Sequence, residues 1–477
     1  MIFLKNILRA TQKNDNPIET MSRKTSCTKI EMDDFAKQQL TILKNQSAAN
    51  KIKLPGRIFH LLLWIGATVL GIYFFKSFGL AIALLAMLNY LILLIFRINN
   101  NFGARKQHIN DSPLQDIDWP TFSIIFPLKN EDEVIHETIQ SIQALDYPVE
   151  QLQVLIVVEE TDALTQKSLS TINLPNYFRV LLIPTLTPFT KGRALLHALK
   201  AVTGKFLTVL DAESRPESLQ LKKAAICLTN TAEQICCQAK ISISNKGHNW
   251  ITRNFATEYH EWYEQHLYKL SENELPFGLG GNSFYISKEN MLKAGSWDPF
   301  NVTEDVDLSV RLVRSGIKLC IFESYTNENC PETAGNWLNQ RTRWNKGLFI
   351  TQLVHLRRTF LSKGFGLKGW FSFWLRMICG TMLPFFNIYI SFYILFSYPQ
   401  FRFPFILSIL LWALFVINLL ISFVINWINY KKLGVKQSVF VTLMDVIRYL
   451  FLQILAGYRA FWEYFIAPLK WNKTIHQ

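Results

Sequence analysis

Phe206-Leu207-Thr208-Val209-Leu210-Asp211-Ala212-Glu213 is an apolar run that ends in two acids. The apolar part reads as a buried strand, and the acids mark the point where the chain leaves it. Three further runs have the same character: Phe122 to Phe126, Val154 to Val158 and Val180 to Ile183. Between them, Glu131 to Leu145 and Lys191 to Val202 have helical composition and spacing. Strands alternating with helices predict an α/β domain with a parallel, Rossmann-like sheet, whose ligands sit beyond the C-terminal ends of the strands. The polar stretches fall at such ends. Pro127-Leu128-Lys129-Asn130-Glu131 follows the first strand and Glu159-Glu160-Thr161-Asp162 the second.

No Gly-x-Gly-x-x-Gly follows any of these strands, which argues against a dinucleotide dehydrogenase and leaves acids to handle a nucleotide. Acids beside phosphates need a cation between them. Asp211 and Glu213 are placed to share Mg2+ or Mn2+ with a diphosphate, because such hard ions take carboxylate and phosphate oxygens. A second acidic turn lies at Asn301-Val302-Thr303-Glu304-Asp305, with helix-period apolar residues Val306, Val310 and Val313 behind it. Thr303 is the expected N-cap through its hydroxyl. Glu304 and Asp305 then lie in a first helical turn, where the helix dipole keeps a carboxylate ionised and able to accept a proton. Downstream, Trp337 to Lys346 is predicted helical, with Gln340, Arg343 and Trp344 on one face and Arg341 turned away.

In this order, Asp211-Ala212-Glu213, Thr303-Glu304-Asp305 and Gln340-Arg341-Thr342-Arg343-Trp344 resemble the family-2 glycosyltransferases, specifically the membrane-embedded processive synthases of the cellulose-synthase-like group. The resemblance runs from about Phe122 to the C-terminus. It implies a glycosyltransferase-A fold, with Asp305 as general base and Glu304 beside it in the catalytic motif. It also implies that Asp211 and Glu213 hold the metal-bound nucleoside diphosphate, and that Glu159, Glu160 or Asp162, with Lys191 and Arg343, contact the nucleotide-sugar. Gly280 and Gly281, in Phe277-Gly278-Leu279-Gly280-Gly281-Asn282-Ser283, would admit the acceptor sugar, with Gln340 and Trp344 closing over it. Two positions depart from the family pattern: Glu213 replaces the second Asp of Asp-x-Asp, and Glu159-Glu160 stands where many relatives have Asp-Asp.

The remainder of the chain has a different composition. Of 477 residues, 49% are hydrophobic and 14% aromatic, rich for a purely soluble enzyme, and the net charge is +14. A basic protein facing an anionic cytoplasmic leaflet accounts for that charge with less strain than nucleic acid does. The seven cysteines follow neither a zinc spacing nor a disulfide framework, which points to a reducing compartment. Two uncharged runs, Ile58 to Phe75 and Ser77 to Phe96, read as a transmembrane hairpin, and Met377 to Phe401 with Phe403 to Tyr430 as a second. Lys431, Lys432 and Lys436 after the second, like Arg97, Arg105 and Lys106 after the first, put the intervening domain in the cytoplasm. Val439 to Ala456 is apolar but holds Asp445 and Arg448 one turn apart, so it either spans with an internal pair or lies in the interface.

The expected organisation is therefore a polar tail without sustained structure (residues 1–53), a hairpin (54–97), the catalytic domain (98–346), interfacial helices (347–370), membrane helices (371–466) and a short tail (467–477). No cleavable signal peptide is read at the N-terminus. The C-terminal Ala467-Pro468-Leu469-Lys470-Trp471 resembles the end of one bacterial branch of these synthases, which implies a complete chain. The reading is an inverting, processive enzyme of the bacterial inner membrane that moves sugars from a UDP-sugar to a growing β-linked polysaccharide and passes the product outward. Its partners are donor, polysaccharide and membrane lipid, with room for an accessory membrane or periplasmic subunit. Two alternatives stand beside it: a transferase adding one sugar to a lipid carrier, and a nucleotide-binding membrane transporter or scaffold.

Overall fold

The computed structural model describes residues 27–29, 43, 46–73, 75–101, 118–132, 134–230, 234–360, 362–374, 377, 380–381 and 405–470. Much of the expected tail and of the span from Met377 to Phe401 lies outside them.

The four expected strands are present as β2 (Phe122–Leu128), β3 (Leu152–Glu159), β4 (Phe178–Ile183) and β5 (Phe206–Val209). A short β1 (Cys27–Lys29) precedes them, and β6 (Arg215–Pro216), β7 (Ile235–Ile243), β8 (Phe284–Ser287) and β9 (Lys318–Glu328) follow. All nine form one sheet in the order β1-β4-β3-β2-β5-β8-β7-β9-β6. Strands β1 to β5 pair in parallel, as the alternation predicts. The other half corrects the expectation of an all-parallel sheet. Strand β8 runs antiparallel between β5 and β7, and β6 antiparallel to β9, while β7 and β9 are parallel.

Successive residues of a strand point to opposite faces, and here both faces are covered. Ile125, Leu155, Val157 and Leu181 enter one core layer, while Ile124, Phe126, Val154, Ile156 and Val158 enter the other. The helices, in chain order, are α1 (Leu54–Tyr73), α2 (Phe75–Asn101), α3 (Ile135–Gln143), α4 (Ala163–Ser170), α5 (Lys191–Leu199), α6 (Gln220–Thr229) and α7 (Trp250–His260). The chain then continues through α8 (Leu267–Glu272), α9 (Lys288–Lys293), α10 (Glu304–Arg314), α11 (Ala334–Phe360), α12 (Phe405–Lys432) and α13 (Val439–Ile466). One helix, α11, carries both the Gln340–Trp344 stretch and the segment expected to start a separate interfacial region at residue 347.

Within α12 and α13, Ile409–Lys432 and Val439–Ile466 are long and apolar enough to cross a bilayer; Leu54–Gly66 and Ala83–Asn99 are shorter apolar stretches. Their outer faces expose Leu62, Leu63, Leu85, Leu88, Leu420 and Phe451, side chains that a water-facing helix ordinarily buries. The internal pair expected within α13 is not formed. Asp445 is buried and pairs with Arg253 of α7 at 2.9 Å, with the Tyr430 hydroxyl donating to it at 3.2 Å, while Arg448 is exposed.

Candidate active site

A cavity of about 750 Å3 opens beyond the C-terminal ends of β2, β3 and β5 and continues between α2, α12 and α13. Asp211 and Glu213, just past β5, line its floor together with Glu328 at the end of β9. The Lys191 ammonium, from the first turn of α5, donates to Asp211 Oδ1 and, at 2.7 Å, to the Gly281 carbonyl. Burial works against that ammonium, but Asp211 and Glu304 outweigh it and hold its pKa above the ordinary value.

Glu328 has no counterpart in the sequence reading. The Ser214 hydroxyl (2.9 Å) and the Asn282 amide donate to it, and Asn282 also reaches Asp211 Oδ2 at 3.3 Å. Burial first, then the charges of Glu213 and Asp211, push Glu328 up to about 8. Its distance in sequence from both partners hid it. The available signal was its place at the end of a strand, which was not extended to β9.

Thr303 occupies the N-cap position of α10, but its hydroxyl turns to Asn301 Oδ1 at 3.3 Å instead of capping the helix, a correction to the expected cap. Glu304 and Asp305 both line the cavity. Asp305 Oδ1 accepts from the Val306 amide at 2.9 Å. Burial, then the Asp305 charge, push Glu304 up to about 7; burial also raises Asp305, against the pull of Lys191 and Arg343. Asp307 faces the other way. It is fully buried, paired with Arg311 at 2.7 Å and His355 at 2.6 Å, and burial notwithstanding these partners hold it below the usual carboxylate range.

The glycine loop meets this centre edge-on. A Cβ on Gly281 would lie 3.4 Å from Asp305 Oδ2 and 3.6 Å from Lys191 Nζ, and one on Gly280 would lie 2.6 Å from the Tyr263 hydroxyl oxygen. Tyr263 belongs to a wider-turn π-helical segment, Glu261–His266, between α7 and α8, a local irregularity often found at functional sites. Gln238 of β7 fixes the loop, accepting from the Gly280 amide at 2.9 Å and donating to the Asn282 carbonyl at 3.0 Å.

On α11, Gln340, Arg343 and Trp344 all line the cavity. Trp344 stacks on Tyr259 with ring centroids 6.5 Å apart. Arg341 was expected to turn away; instead its guanidinium lies 4.4 Å from the Trp344 centroid and 4.7 Å from that of Phe255, and pairs with Glu258 at 2.6 Å. It lines the cavity as well and holds Trp344, while Phe255 and Glu258 of α7, which helical spacing alone does not show, hold the guanidinium.

The acids after β3 separate. Glu159 lines the cavity and pairs with Arg193 and, at 3.5 Å, with Lys129. Glu160 does not line it. Asp162 is buried, caps α4 through the Thr165 amide at 3.2 Å and accepts from the Asn130 amide at 2.7 Å, so it shapes the loop after β2.

With this geometry in view, the likenesses to known proteins gain weight. The sequence profile of the glycosyl transferase family group 2 matches residues 206–429. A probable glycosyltransferase, YdaM, of Bacillus subtilis (strain 168) is 27% identical over 310 residues, 63% of this chain and 67% of that protein. The chain is thus similar to the family-2 glycosyltransferases. A beta-monoglucosyldiacylglycerol synthase of Trichormus variabilis is 25% identical over 236 residues, 48% of this chain and 49% of that protein. The alignment thus spans about two thirds of the first relative and half of the second. Among solved structures, the mannosyltransferase PcManGT from Pyrobaculum calidifontis, in complex with GDP-Man and Mn2+, superposes with a TM-score of 0.55 at 15% identity, covering 81% of this chain and 99% of that one. The shared feature is the glycosyltransferase-A fold.

Proposed function

We propose that this family-2 enzyme transfers sugars from a UDP-sugar, with inversion, to the end of a growing β-linked polysaccharide that leaves along the apolar helices. The observation that carries the reading is the continuity of one cavity from the carboxylates to the space between α2, α12 and α13.

In this mechanism Asp305 takes the proton of the acceptor hydroxyl as its oxygen bonds to the anomeric carbon, and the bond from that carbon to the diphosphate breaks with the electron pair leaving on the phosphate. One base and one stabilised leaving group suffice for inversion. Glu304 raises the basicity of the pair by like-charge repulsion, and Arg343 and Lys191 balance the charge near the diphosphate. Glu159, Glu160 and Asp162 are the candidates toward the nucleotide, Glu159 being the one on the cavity wall. Gly280, Gly281, Gln340 and Trp344 are assigned to the acceptor.

The donor atoms fit a hard divalent ion, Mg2+ or Mn2+. Asp211, Glu213 and Glu328 all line the cavity, burial and then the charges of Glu213 and Asp211 push Glu328 up to about 8, and Asn282 Oδ1 is buried without a partner among the described residues. Asp211 and Glu213 would hold the ion, which when bound neutralises the leaving diphosphate. Excess EDTA should abolish turnover and added Mg2+ or Mn2+ restore it; undiminished transfer in EDTA refutes the metal assignment.

The apolar faces of α12 and α13, with α1 and α2 beside them, support an integral protein of the bacterial inner membrane whose catalytic domain, residues 98–346, lies between membrane helices on the cytoplasmic side. A second reading is favoured by the relative that is a monoglucosyldiacylglycerol synthase: addition of one sugar to a lipid. Product length separates them. Purified protein incubated with radiolabelled UDP-glucose, UDP-galactose, UDP-N-acetylglucosamine, UDP-glucuronate or GDP-mannose should give glycosidase-sensitive material of high molecular weight. A solvent-extractable glycolipid selects the second reading, and no nucleotide release from any donor overturns both.

A further inference from the structure

Three of the cysteines, scattered at positions 227, 237 and 320, meet in space on the face of the sheet covered by α6. Cys237 of β7 and Cys320 of β9 stand directly opposite in the parallel register, so their side chains leave the sheet on the same side. Cys236, one residue earlier, enters the other core layer. Helix α6 lies over β7 and β9 and brings Cys227 down onto the pair. The Cys320 sulfur is 3.1 Å from that of Cys237 and 3.8 Å from that of Cys227, and all three sulfurs lie within 4.8 Å of one another.

We propose that Cys227, Cys237 and Cys320 form a three-thiolate site for a single thiophilic metal ion of the monovalent copper class. A metal–thiolate bond of about 2.3 Å places three ligating sulfurs about 4 Å apart around a central ion, close to the spacing found. Among the described residues no histidine, aspartate or glutamate joins the group as a fourth ligand. Three soft sulfurs and no oxygen or nitrogen favour a soft ion content with three ligands, and disfavour the hard ions suited to Asp211 and Glu213. Zinc ordinarily closes a four-ligand tetrahedron in structural sites.

Access and arrangement agree with this assignment. Cys237 is buried, whereas Cys227 and Cys320 keep some exposure beside α6. The Cys320 sulfur is in hydrogen-bond contact with both of the others, so the three ligands already face one another before metal arrives. Binding displaces thiol protons into solvent, and affinity therefore rises with pH. The bound ion ties α6 to β7 and β9, and β7 carries Gln238, the residue that holds the Gly280 loop.

The test uses the full chain, purified in detergent with a phosphine reductant and freed of metal. It is titrated with Cu+ against a chromophoric Cu+ chelator, and with Zn2+ in parallel. Wild type should retain one Cu+ per chain and melt at a higher temperature when loaded, because the ion binds only the folded arrangement. Cys227→Ala, at the partly exposed position where a small residue is tolerated, should melt like metal-free wild type but hold Cu+ about a hundredfold more weakly, at or beyond the loss expected for a supporting residue. Cys320→Ser should do the same. Equal Cu+ retention and equal melting shifts in wild type and Cys227→Ala would overturn the site. Stoichiometric Zn2+ retention without Cu+ would overturn the choice of ion, and a Cys237–Cys320 disulfide persisting in millimolar reduced glutathione would overturn metal binding altogether.

Discussion

Asp305 and Asp307 are two positions apart on α10 and serve opposite ends. Asp305 looks into the cavity beside Lys191 and the Gly281 backbone, whereas Asp307 anchors Arg311 and His355 in the interior. Asp305→Asn keeps the size and much of the hydrogen bonding but cannot take a proton, so sugar transfer should fall by about two to four orders of magnitude while UDP affinity holds. Asp307→Asn should instead lower thermal stability. Near-wild-type transfer by the Asp305 variant in a nucleotide-release assay would remove it as the base. The two acids share a site, so they titrate as a pair, and the first proton enters as pH falls through about 7, where Glu304 stands. Transfer should therefore decline below that pH, and Glu304→Gln should move the decline to lower pH by removing the like charge. Glu328 gives a stability counterpart. Its folded value, about 8, lies above the ordinary 4.5, so metal-free stability should be highest below the ordinary value and fall as pH rises through 8. Melting curves of Glu328→Gln should lack that slope. The sequence disclosed the acids that share a turn or a strand end, Asp211, Glu213, Glu304 and Asp305. It did not disclose Glu328 or Tyr263, whose neighbours come from elements more than sixty residues away or from the opposing loop, because spacing rules see only one element at a time.

At the scale of elements, β2 to β5 were legible because a strand buried on both faces is a nearly continuous apolar run. Strands β7 to β9 were not. Lys240 lies within β7 and Glu323 within β9, which breaks the apolar pattern, yet the two are ion-paired at 2.8 Å once the strands are neighbours. The same dependence on a partner governs the glycine loop. Gly280 is tolerated beside Tyr263 because an added Cβ would come within 2.6 Å of the Tyr263 hydroxyl, so Gly280→Ala should destabilise the loop and reduce transfer. Removing the hydroxyl gives the added methyl room. Tyr263→Phe combined with Gly280→Ala should recover most of the lost melting temperature, a coupling of about 0.5–3 kcal/mol in a double-mutant cycle. Additive losses would mean that the two do not meet. Gly281→Ala should spare stability and impair transfer, since its methyl would face Asp305 and Lys191 at 3.4 and 3.6 Å rather than a packed side chain.

Across the whole molecule, the α/β domain and the apolar helices are joined by a few polar contacts that composition does not reveal. Lys346 of α11 is buried and donates to Glu463 of α13 at 3.0 Å and to the Lys470 carbonyl at 2.9 Å. Asp445 of α13 receives Arg253 of α7 and the hydroxyl of Tyr430 on α12, tying three helices at one carboxylate. A sequence reader meets Asp445 and Arg448 a turn apart and pairs them, because the true partner is 192 residues away. A buried pair is costly to break, since the surviving charge is left without solvent or counter-ion. Asp445→Leu alone and Arg253→Met alone should each cost about 3–5 kcal/mol, read as a lowered unfolding midpoint in detergent. The double variant buries no lone charge, so it should be closer to wild type than either single change. Because α7 leads into the π-helical segment holding Tyr263 and carries Tyr259 under Trp344, the single variants should also lose transfer in proportion to the population that has slipped from α13. If both singles melt like wild type, the pair is not what fastens the catalytic domain to the helices. If the double variant is as unstable as the singles, packing around Tyr430, not charge, holds the junction.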